Sequence, residues 1–375
     1  MAGAVAPGEL IAARASAGDG FALATHEDDA DLRALLRRSE MPGAIRVAFT
    51  REPSYFAAAG LAGATDYTLV HRTGGAIDGV ARLSVHRMYR HGTPARVGYL
   101  AELRIDPSAA HSVRLLREGF ARIREYVATE GVAHCFTSIA HDNARARRVL
   151  EHGGRLGLPR YVPMADLVTL VARVPRRTRR PPPETSPDEA ELTAFLDRHA
   201  RAYELSLTWD GERWRSLARH GLGPADFCTV RDHNHMVAAG AVWDQRPFRQ
   251  VLVSGYEGVL RLVRPLIAAV ARIGVVPPLP PAGTLLAQGM ILGAVASEAR
   301  HWQPLLRALL ASAADRGLEW VTLARDARDP ELPVLRALLR AREYRTRLYH
   351  VRWTGDPGEP DTTSAALVRP EVALL

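Results

Sequence analysis

The sequence predicts an α/β protein with two mixed α/β domains in tandem, each a central mixed β-sheet flanked by helices. The chain has 375 residues, of which 47% are hydrophobic and 24% are charged, the composition of a globular protein long enough for about two domains. A proline-rich basic run at 173–189, RVPRRTRRPPPETSPDE, cannot bury an apolar face. The segments on either side of this run repeat one order of predicted elements.

These observations place the domain boundaries. We predict a first domain at 20–175, a linker at 176–187 and a second domain at 188–353, with terminal tails at 1–19 and 354–375. Because the second tail is rich in Gly, Pro, Asp and Thr, we expect it to be loosely held.

The net charge of +8 would by itself favour nucleic acid or an anionic surface as a partner. All 49 basic residues are arginine, however, and asparagine occurs only at Asn143 and Asn234. That pattern indicates a codon bias acting on the whole sequence. Five arginines and one acid lie between residues 173 and 187, so half of the net charge sits in or beside the linker. The basic charge is therefore a weak indication of function.

The compartment is predicted from targeting signals and cysteine use. Residues 1–20 lack a basic stretch followed by an apolar one, so we expect no secretion signal. No run reaches the roughly 18 apolar residues that a membrane span needs. Cys135 and Cys228 lie far apart in apolar segments, as expected for free thiols in a reducing cytosol. We expect a soluble, cytoplasmic protein.

The repeat is clearest in a strand–helix unit that occurs once in each half. The separation from the predicted strand at Ile105 to the predicted helix at Leu115 is ten residues, and so is that from Val295 to Leu305. Each helix precedes a glycine and a short apolar strand. These units comprise strands at 97–105 and 287–292 and the later strands at 131–137 and 317–323.

The remaining elements also occur in pairs. We predict opening helices at 28–38 and 188–202, capped near Thr25 or His26 and near Ser186. We predict strands at 67–71, 76–89, 227–231 and 236–243, later helices at 143–151 and 330–340, and final strands at 161–174 and 344–353.

Two segments carry a resemblance to a known family. Residues 103–107, Leu-Arg-Ile-Asp-Pro, resemble the central strand of the GNAT superfamily of N-acetyltransferases and the turn after it. Residues 138–154, SIAHDNARARRVLEHGG, resemble that family's segment in which an Asn opens a helix and a Gly closes it. The second half repeats the architecture, and its residues 243–246 with Leu348 and Tyr349 resemble tandem GNAT proteins. The likeness covers about residues 20–353.

The resemblance implies acetyl-CoA, or another acyl-CoA, as cofactor. In the family the central strand separates from its neighbour and exposes backbone groups to the pantetheine arm, and the next helix begins at the pyrophosphate. This implies backbone contacts from Leu103 and Ile105 and a phosphate loop over residues 110–114, with His111, Ser112, Val113 and Arg114. Asn143 either contacts the pantetheine region or caps its helix.

The phosphate loop departs from the family pattern in both halves. The glycines that let the backbone approach phosphate are missing from residues 108–114 and from residues 296–302. The second half also carries Glu298 where phosphate would sit. We therefore expect the second domain to be the poorer cofactor site and to complete the acceptor cleft.

Glu102 is the candidate base, because an acidic side chain is unusual within a mostly apolar strand and its presence there suggests a function. The alternative is a strand residue that faces solvent or pairs with Arg104 or Arg82. As base, Glu102 would accept the proton of the acceptor amine while a strand amide near Leu103 polarises the thioester carbonyl.

The residue that protonates the departing thiolate is not evident from the sequence. The family's usual acid is a tyrosine in the helix after Asn143, and aligning that helix places Leu150 at the position. Tyr161, Ser138 and Tyr99 are the possible substitutes, each against a simple packing or capping role.

No metal site is expected. His233-Asn234-His235 lies between two predicted strands, where a polar hairpin turn is expected, and no acid or thiol cluster completes a ligand shell.

The sequence thus predicts a GNAT-type N-acyltransferase that moves an acetyl or other acyl group from coenzyme A to a small-molecule amine. The alternatives are an aminoacyl-tRNA-dependent transferase, in which case nucleic acid becomes a partner, and a non-catalytic acyl-CoA-binding protein. We expect no membrane partner, and the sequence does not determine the oligomeric state.

Overall fold

The computed structural model describes residues 19–41, 45–61, 65–106, 112–175, 187–258, 279–356 and 366–375. The helices are α1 (Asp29–Arg38), α2 (Ser112–Thr129), α3 (Ala144–Glu151), α4 (Glu189–Ala200), α5 (Gly211–Arg219), α6 (Trp302–Asp315) and α7 (Leu332–Leu339). The first-half strands are β1 (Gly20–Leu23), β2 (Ile45–Thr50), β3 (Thr65–Thr73), β4 (Ala76–Arg90), β5 (Thr93–Ile105), β6 (His134–Ala140) and β7 (Arg160–Arg173). The second-half strands are β8 (Phe227–Asp232), β9 (His235–Trp243), β10 (Gln250–Tyr256), β11 (Gln288–Ala296), β12 (Trp320–Asp326) and β13 (Arg342–Arg352).

The sheets of the two halves join into one. Eleven strands run in the order β1-β3-β4-β5-β6-β13-β7-β12-β11-β9-β8, so the last strand of each half extends the sheet of the other. β13 pairs antiparallel with β6, β7 pairs antiparallel with β12, and β7 and β13 pair with each other. Each final strand therefore satisfies backbone groups on both of its edges. A separate two-stranded sheet joins β2 to β10 and also links the two halves.

Helices cover this sheet in a repeated pattern that follows their apolar stripes. Helices α2 and α3 pack on one face of the first-half strands, and α6 and α7 pack in the same way on the second-half strands. The opposite side holds α1 over β3 and β4. The largest core cluster lies where the two halves meet and includes side chains of α4 and α5.

The predicted elements are confirmed, with local differences. Asp188 rather than Ser186 caps α4, because its side chain accepts a hydrogen bond from the Glu191 amide at 2.9 Å. His233 and Asn234 both have positive φ, 44° and 69°, and form the expected two-residue hairpin turn between β8 and β9. Most of the predicted linker and the first tail lie outside the described residues.

The expectation of a loosely held C-terminal segment is wrong for residues 366–375. The Glu204 amide donates to the Leu367 carbonyl at 2.9 Å, and the Arg369 amide donates back to the Glu204 carbonyl at 2.9 Å. Val368, Ala373 and Leu374 are buried in the core between the halves. Composition misled here, because a few apolar side chains suffice to anchor a short polar segment.

Neither Cys135 nor Cys228 forms a disulfide within the part of the chain that the structure describes. Among the described helices, none is both long enough and apolar enough to cross a membrane.

Candidate active site

Strands β5 and β6 separate in the middle of the sheet. They pair in parallel from Val97 with His134 to Tyr99 with Phe136, yet β5 continues to Ile105 and β6 to Ala140. The Thr137 hydroxyl donates to the Leu100 carbonyl at 2.7 Å just past the last ladder pair. Beyond this point the two facing backbone edges are no longer joined by the ladder, which leaves a slot between them.

Glu102 lies at a β-bulge beside this slot. Ala101 pairs with Arg82 and Arg104 pairs with Val80, so β5 holds two residues where β4 holds one. Glu102 has a φ of +55°, a left-handed conformation that costs a residue with a side chain about 1–2 kcal/mol. Strain of this kind is concentrated at functional sites.

The Glu102 carboxylate is held by residues from the segment after β2. Arg51 forms an ion pair with one of its oxygens, and the Tyr55 hydroxyl donates to the other at 2.5 Å. Burial acts to raise the pKa of Glu102, but the charges of Arg51 and Arg82 and the Tyr55 hydrogen bond outweigh it and lower the pKa to about 2. Glu102 is therefore a carboxylate fixed in one position at neutral pH.

Two further arginines act on Glu102 through their charge. Arg82 is 4% exposed and lies on β4 directly opposite Ala101. Arg249 donates to the main-chain oxygen of Leu375 at 2.9 Å. Both charges lower the pKa of Glu102, which shows that they lie within electrostatic range of it.

Tyr99 and Ser138 connect the two strands where they separate. The Tyr99 hydroxyl and the Ser138 hydroxyl are 2.9 Å apart, one on β5 and one on β6. Burial raises the pKa of Tyr99, so its hydroxyl keeps its proton at neutral pH. Tyr99 packs in the core cluster on the side of the sheet away from α2, and the charges of Arg82, Arg249 and Glu102 all act on it.

The second half offers an internal comparison, because its strands separate at the corresponding place. The last paired residues of β11 and β12 are Met290 and Thr322. The last paired residues of β5 and β6 are Tyr99 and Phe136. The bulged residue with positive φ is the third after this point in both strands, Glu102 at +55° and Gly293 at +60°.

The polar residues of the first slot have apolar counterparts in the second. In the same registers, the second half has Met290 for Tyr99, Ala324 for Ser138, Ala241 for Arg82 and Gly293 for Glu102. The fold therefore does not require the polar set, which is the strongest indication that this set has a function.

The second slot is closed by the protein itself. Arg325 is 2% exposed and donates to the Ala294 carbonyl at 2.6 Å. The Gly293 amide donates to the Glu371 carboxylate at 3.2 Å. These contacts use backbone groups at the bulge that would otherwise face a ligand.

Close packing at this bulge gives a first prediction. A Cβ at Gly293 would lie 3.1 Å from ring carbons of Phe227 and Trp209, in a backbone with φ +60°. We expect Gly293→Ala to lower the free energy of unfolding by about 2–4 kcal/mol in urea titrations. Gly317→Ala is the matched control, since Gly317 has φ +67° but no atom within 4 Å of its Cβ position, and it should cost about 1 kcal/mol. Equal losses in the two variants would contradict tight packing at Gly293.

The other predicted catalytic residue, Tyr161, does not join this site. The structure places it in the core beneath α2, where it is 6% exposed and packs edge-on against Phe120. It belongs to the cluster on the α2 face, whereas Tyr99 and Ser138 lie at the slot. Of the predicted catalytic residues, Ser138 contacts Tyr99 at the slot, and the charge of Glu102 acts on the same tyrosine.

The predicted cofactor residues lie at the slot and at the start of α2. Leu103 is the second residue of the bulge and Ile105 follows it, and the Arg104 guanidinium donates to the Leu103 carbonyl at 2.9 Å. Ser112, Val113 and Arg114 form the first turn of α2, and His111 lies outside the described residues. Arg114 is exposed and pairs with Glu118 at 2.8 Å.

Asn143 has the N-cap position of α3. Its side-chain oxygen accepts a hydrogen bond from the Ala146 amide at 3.1 Å, which satisfies one of the free amides of the first turn. The capping alternative is thus observed, and contact with a cofactor remains a prediction.

An apolar cleft adjoins the cofactor segments, between α2 and the sheet. Leu103, Arg104 and Ile105 line it from β5, next to the slot. The other lining side chains include Phe21, Leu69, Ala81, Leu115, Phe120 and Ile123.

The sequence pattern did not reveal the partners of Glu102. Arg51 and Tyr55 come from 51 and 47 residues away, and neither lies in a recognisable motif. Within the described residues, no group of three or more His, Cys, Asp or Glu side chains could hold a metal ion.

Comparison with known proteins supports the fold. The sequence matches no protein-family model and no curated protein. The chain is similar to Saccharomyces cerevisiae N-myristoyltransferase with bound myristoyl-CoA, with a TM-score of 0.58 and 8% identity over 90% of this chain and 84% of that one. For a second structure of that enzyme with bound myristoyl-CoA, the TM-score is 0.58 and the identity is 9%, over 96% of this chain and 87% of that one. For a tandem GNAT protein from the clavulanic acid biosynthesis pathway, the TM-score is 0.48 and the identity is 12%, over 90% of this chain and 99% of that one.

Identities this low show the fold alone. The chain shares the fold of the yeast N-myristoyltransferase, with a large mixed sheet flanked by helices, and this supports the resemblance found in the sequence at the level of the fold.

Proposed function

We propose that this protein is an acyl-CoA-dependent N-acyltransferase that acts on a small-molecule amine, with the slot between β5 and β6 as its active site. The observation that carries this proposal is the polar set at the first slot, Tyr99, Ser138, Arg82 and Glu102, against its apolar counterparts at the second. Myristoyl-CoA is bound in the similar yeast enzyme, which supports an acyl-CoA as the ligand of this fold.

The residues at the slot fit such a cofactor. The β5 edge after Tyr99 is free of the β6 ladder, so backbone groups at Leu103 and Ile105 could pair with the amides of pantetheine, with the Arg104 guanidinium giving up the Leu103 carbonyl that it now holds. The first turn of α2 offers free amides and a positive dipole end to phosphate, with Arg114 beside it. The apolar cleft under α2 adjoins these segments. Acetyl-CoA, or another acyl-CoA, supplies an activated acyl group when bound.

Proton transfer in this site would involve Tyr99 and Ser138. The buried Tyr99 hydroxyl keeps its proton at neutral pH and stands where the strands separate, so it is placed to protonate a departing thiolate. Ser138 orients that hydroxyl from the opposite strand.

The contacts of Glu102 favour a fixed structural charge over the predicted base. As the base that accepts the amine proton, it stays a prediction, and its pKa of about 2 weighs against it, since so acidic a group is a weak proton acceptor. Its contacts with Arg51 and Tyr55 suit it better to fixing the charges around the slot.

In the proposed division of labour, the second half does not bind the cofactor. Arg325 and Glu371 already use backbone groups at its bulge. This supports the second half as the part that completes the acceptor cleft.

Calorimetric titration with acetyl-CoA tests the proposal. We expect binding, and we expect Arg114→Ala to weaken it about tenfold, because a guanidinium bonded to phosphate is lost. Arg122→Ala is the matched control, since Arg122 is also exposed on α2 and also pairs with an acid, Glu125, at 3.3 Å. No binding at millimolar acetyl-CoA would overturn the cofactor assignment, and an equal loss in both variants would overturn the phosphate role of Arg114.

A further inference from the structure

The apolar cleft under α2 begins at the bulge of the first slot. Ala81 is the β4 residue that lies opposite the two bulged residues, Glu102 and Leu103. Ala81 and Leu103 both line the cleft, and both pack on the side of the sheet that α2 covers. The strand amide predicted to polarise the thioester carbonyl is also near Leu103. The cleft therefore opens beside the proposed position of the thioester.

A glycine in α2 keeps this cleft open. One face of the helix lines the cleft, with Leu115, Leu116, Gly119, Phe120 and Ile123. Glycine is unfavourable inside a helix, because it loses more backbone freedom than any other residue. A Cβ at Gly119 would lie 3.3 and 3.4 Å from two ring carbons of Phe21 on β1. Gly119 is thus the position at which a larger side chain would fill the cleft.

The second half shows what such a side chain does. By the ten-residue spacing that both halves share, Gly119 of α2 corresponds to Leu309 of α6. Leu309 is 0% exposed, and its Cδ1 lies 3.5 Å from the Cβ position of Gly240. Gly240 is the β9 residue opposite the second bulge, in the register of Ala81. In the second half a leucine therefore occupies the place of the cleft.

The residues beneath the two helices differ in exposure accordingly. Ala294, the second residue of the second bulge, is 2% exposed, whereas Leu103, at the same place in the first bulge, is half-buried. Ala81 and Ile105 are half-buried as well. Apolar side chains under α2 are thus partly open to solvent at the first slot, and an apolar ligand that covered them would be favoured.

The cleft offers an almost purely apolar surface to such a ligand. Among its lining residues in the described part of the chain, the polar ones are His71 and Arg104. Both already have partners: Nδ1 of His71 is 2.5 Å from the Asp78 carboxylate, and the Arg104 guanidinium donates to the Leu103 carbonyl. The remaining lining fits a hydrocarbon chain rather than a polar group.

We propose that this cleft holds the acyl chain of the donor, so that the donor is an acyl-CoA with a medium-length chain, such as octanoyl-CoA. The inference rests on the proposed function and adds the class of acyl group. The lining on α2 extends from Leu115 to Ile123, about 12 Å along the helix axis, which is long enough for an extended octanoyl chain. The chain enters beside Ala81 and Leu103 and displaces water from the half-buried side chains.

Calorimetric titration of the full chain with acetyl-CoA and with octanoyl-CoA tests this inference. We expect the Kd of octanoyl-CoA to be at least about tenfold lower than that of acetyl-CoA, because each buried methylene favours binding. Gly119→Leu places a leucine in the first cleft, as in the second half, and should reduce the ratio of the two Kd values to below about threefold. Ala121→Leu is the matched control, since Ala121 is exposed on α2, and it should keep the wild-type ratio.

A milder variant covers the case in which Gly119→Leu does not fold. Gly119→Ala adds a single carbon against Phe21 and should lower the ratio about twofold. Equal Kd values in the wild-type chain overturn the acyl cleft, whether or not the variants fold. A ratio that stays at the wild-type value in folded Gly119→Leu, or that falls equally in Ala121→Leu, overturns it as well.

The proposed function and the acyl cleft fail on different results. If neither acyl-CoA binds at millimolar concentration, the proposed function falls and the cleft assignment falls with it. Binding of acetyl-CoA without a preference for octanoyl-CoA removes the cleft assignment alone.

Discussion

Replacing Glu102 with alanine is expected to lower the free energy of unfolding by about 3–5 kcal/mol. Among the described residues, the change removes the acid that pairs with Arg51 and leaves that buried arginine without its counter-charge. It also leaves the Tyr55 hydroxyl, which donates to Glu102 at 2.5 Å, without its acceptor. Urea unfolding followed by circular dichroism measures the loss.

Two variants at the same position separate charge from shape and from backbone strain. Glu102→Gln keeps the volume and an oxygen for Tyr55, so it isolates the loss of charge. Glu102→Gly removes the strain of a positive φ, and it should recover about 1 kcal/mol relative to alanine. A loss below 1 kcal/mol for Glu102→Ala would show that the surrounding arginines do not need this carboxylate.

The same contact makes stability depend on acid pH. The pKa of Glu102 is about 2 in the folded chain against an ordinary value of 4.5. Because the folded-state pKa is the lower one, the stabilisation is complete above pH 4.5 and disappears as the pH falls towards 2. The difference in stability between wild type and Glu102→Gln should therefore shrink by about 3 kcal/mol over that interval. A difference that stays constant with pH would contradict the low pKa.

Replacing Tyr99 with phenylalanine is expected to lower the rate of acyl transfer about 100-fold. The change removes one hydroxyl, which lies where β5 and β6 separate and is the proton donor that we propose, and general acids contribute on the order of 10²–10⁴ in rate. The Kd for acetyl-CoA should stay unchanged, because the ring remains in place. The rate is measured as thiol release from acetyl-CoA, with the best acceptor in a panel of small-molecule amines.

Tyr161→Phe is the matched control for this experiment. It removes the same atom from a tyrosine that the sequence also suggested, but that the structure places in the core beneath α2. We expect it to leave the rate within about threefold of wild type, as a position remote from the reacting atoms should. A larger loss in Tyr161→Phe than in Tyr99→Phe would reverse the assignment of the acid.

The candidate site was only partly predictable. Glu102 stood out because an acid within an apolar strand is unusual, and Ser138 and Tyr99 were among the possible acids. Arg51 and Arg249 carried no signal, since one follows β2 and the other precedes β10, in different halves. Contacts between residues so far apart in sequence depend on how the strands are arranged, which no local pattern records.

By itself the sequence determined the repeated order of elements, the two halves and the hairpin turn at His233 and Asn234. Those features depend on residues within a turn of helix or a few strand positions, so periodicity and turn chemistry suffice to predict them. Only the tertiary structure decided that β7 and β13 extend each other's half of the sheet. It alone decided that residues 366–375 pack into the core and that one slot is polar while the other is closed. Those outcomes depend on which backbone edges and side chains are left unsatisfied once the whole sheet has formed.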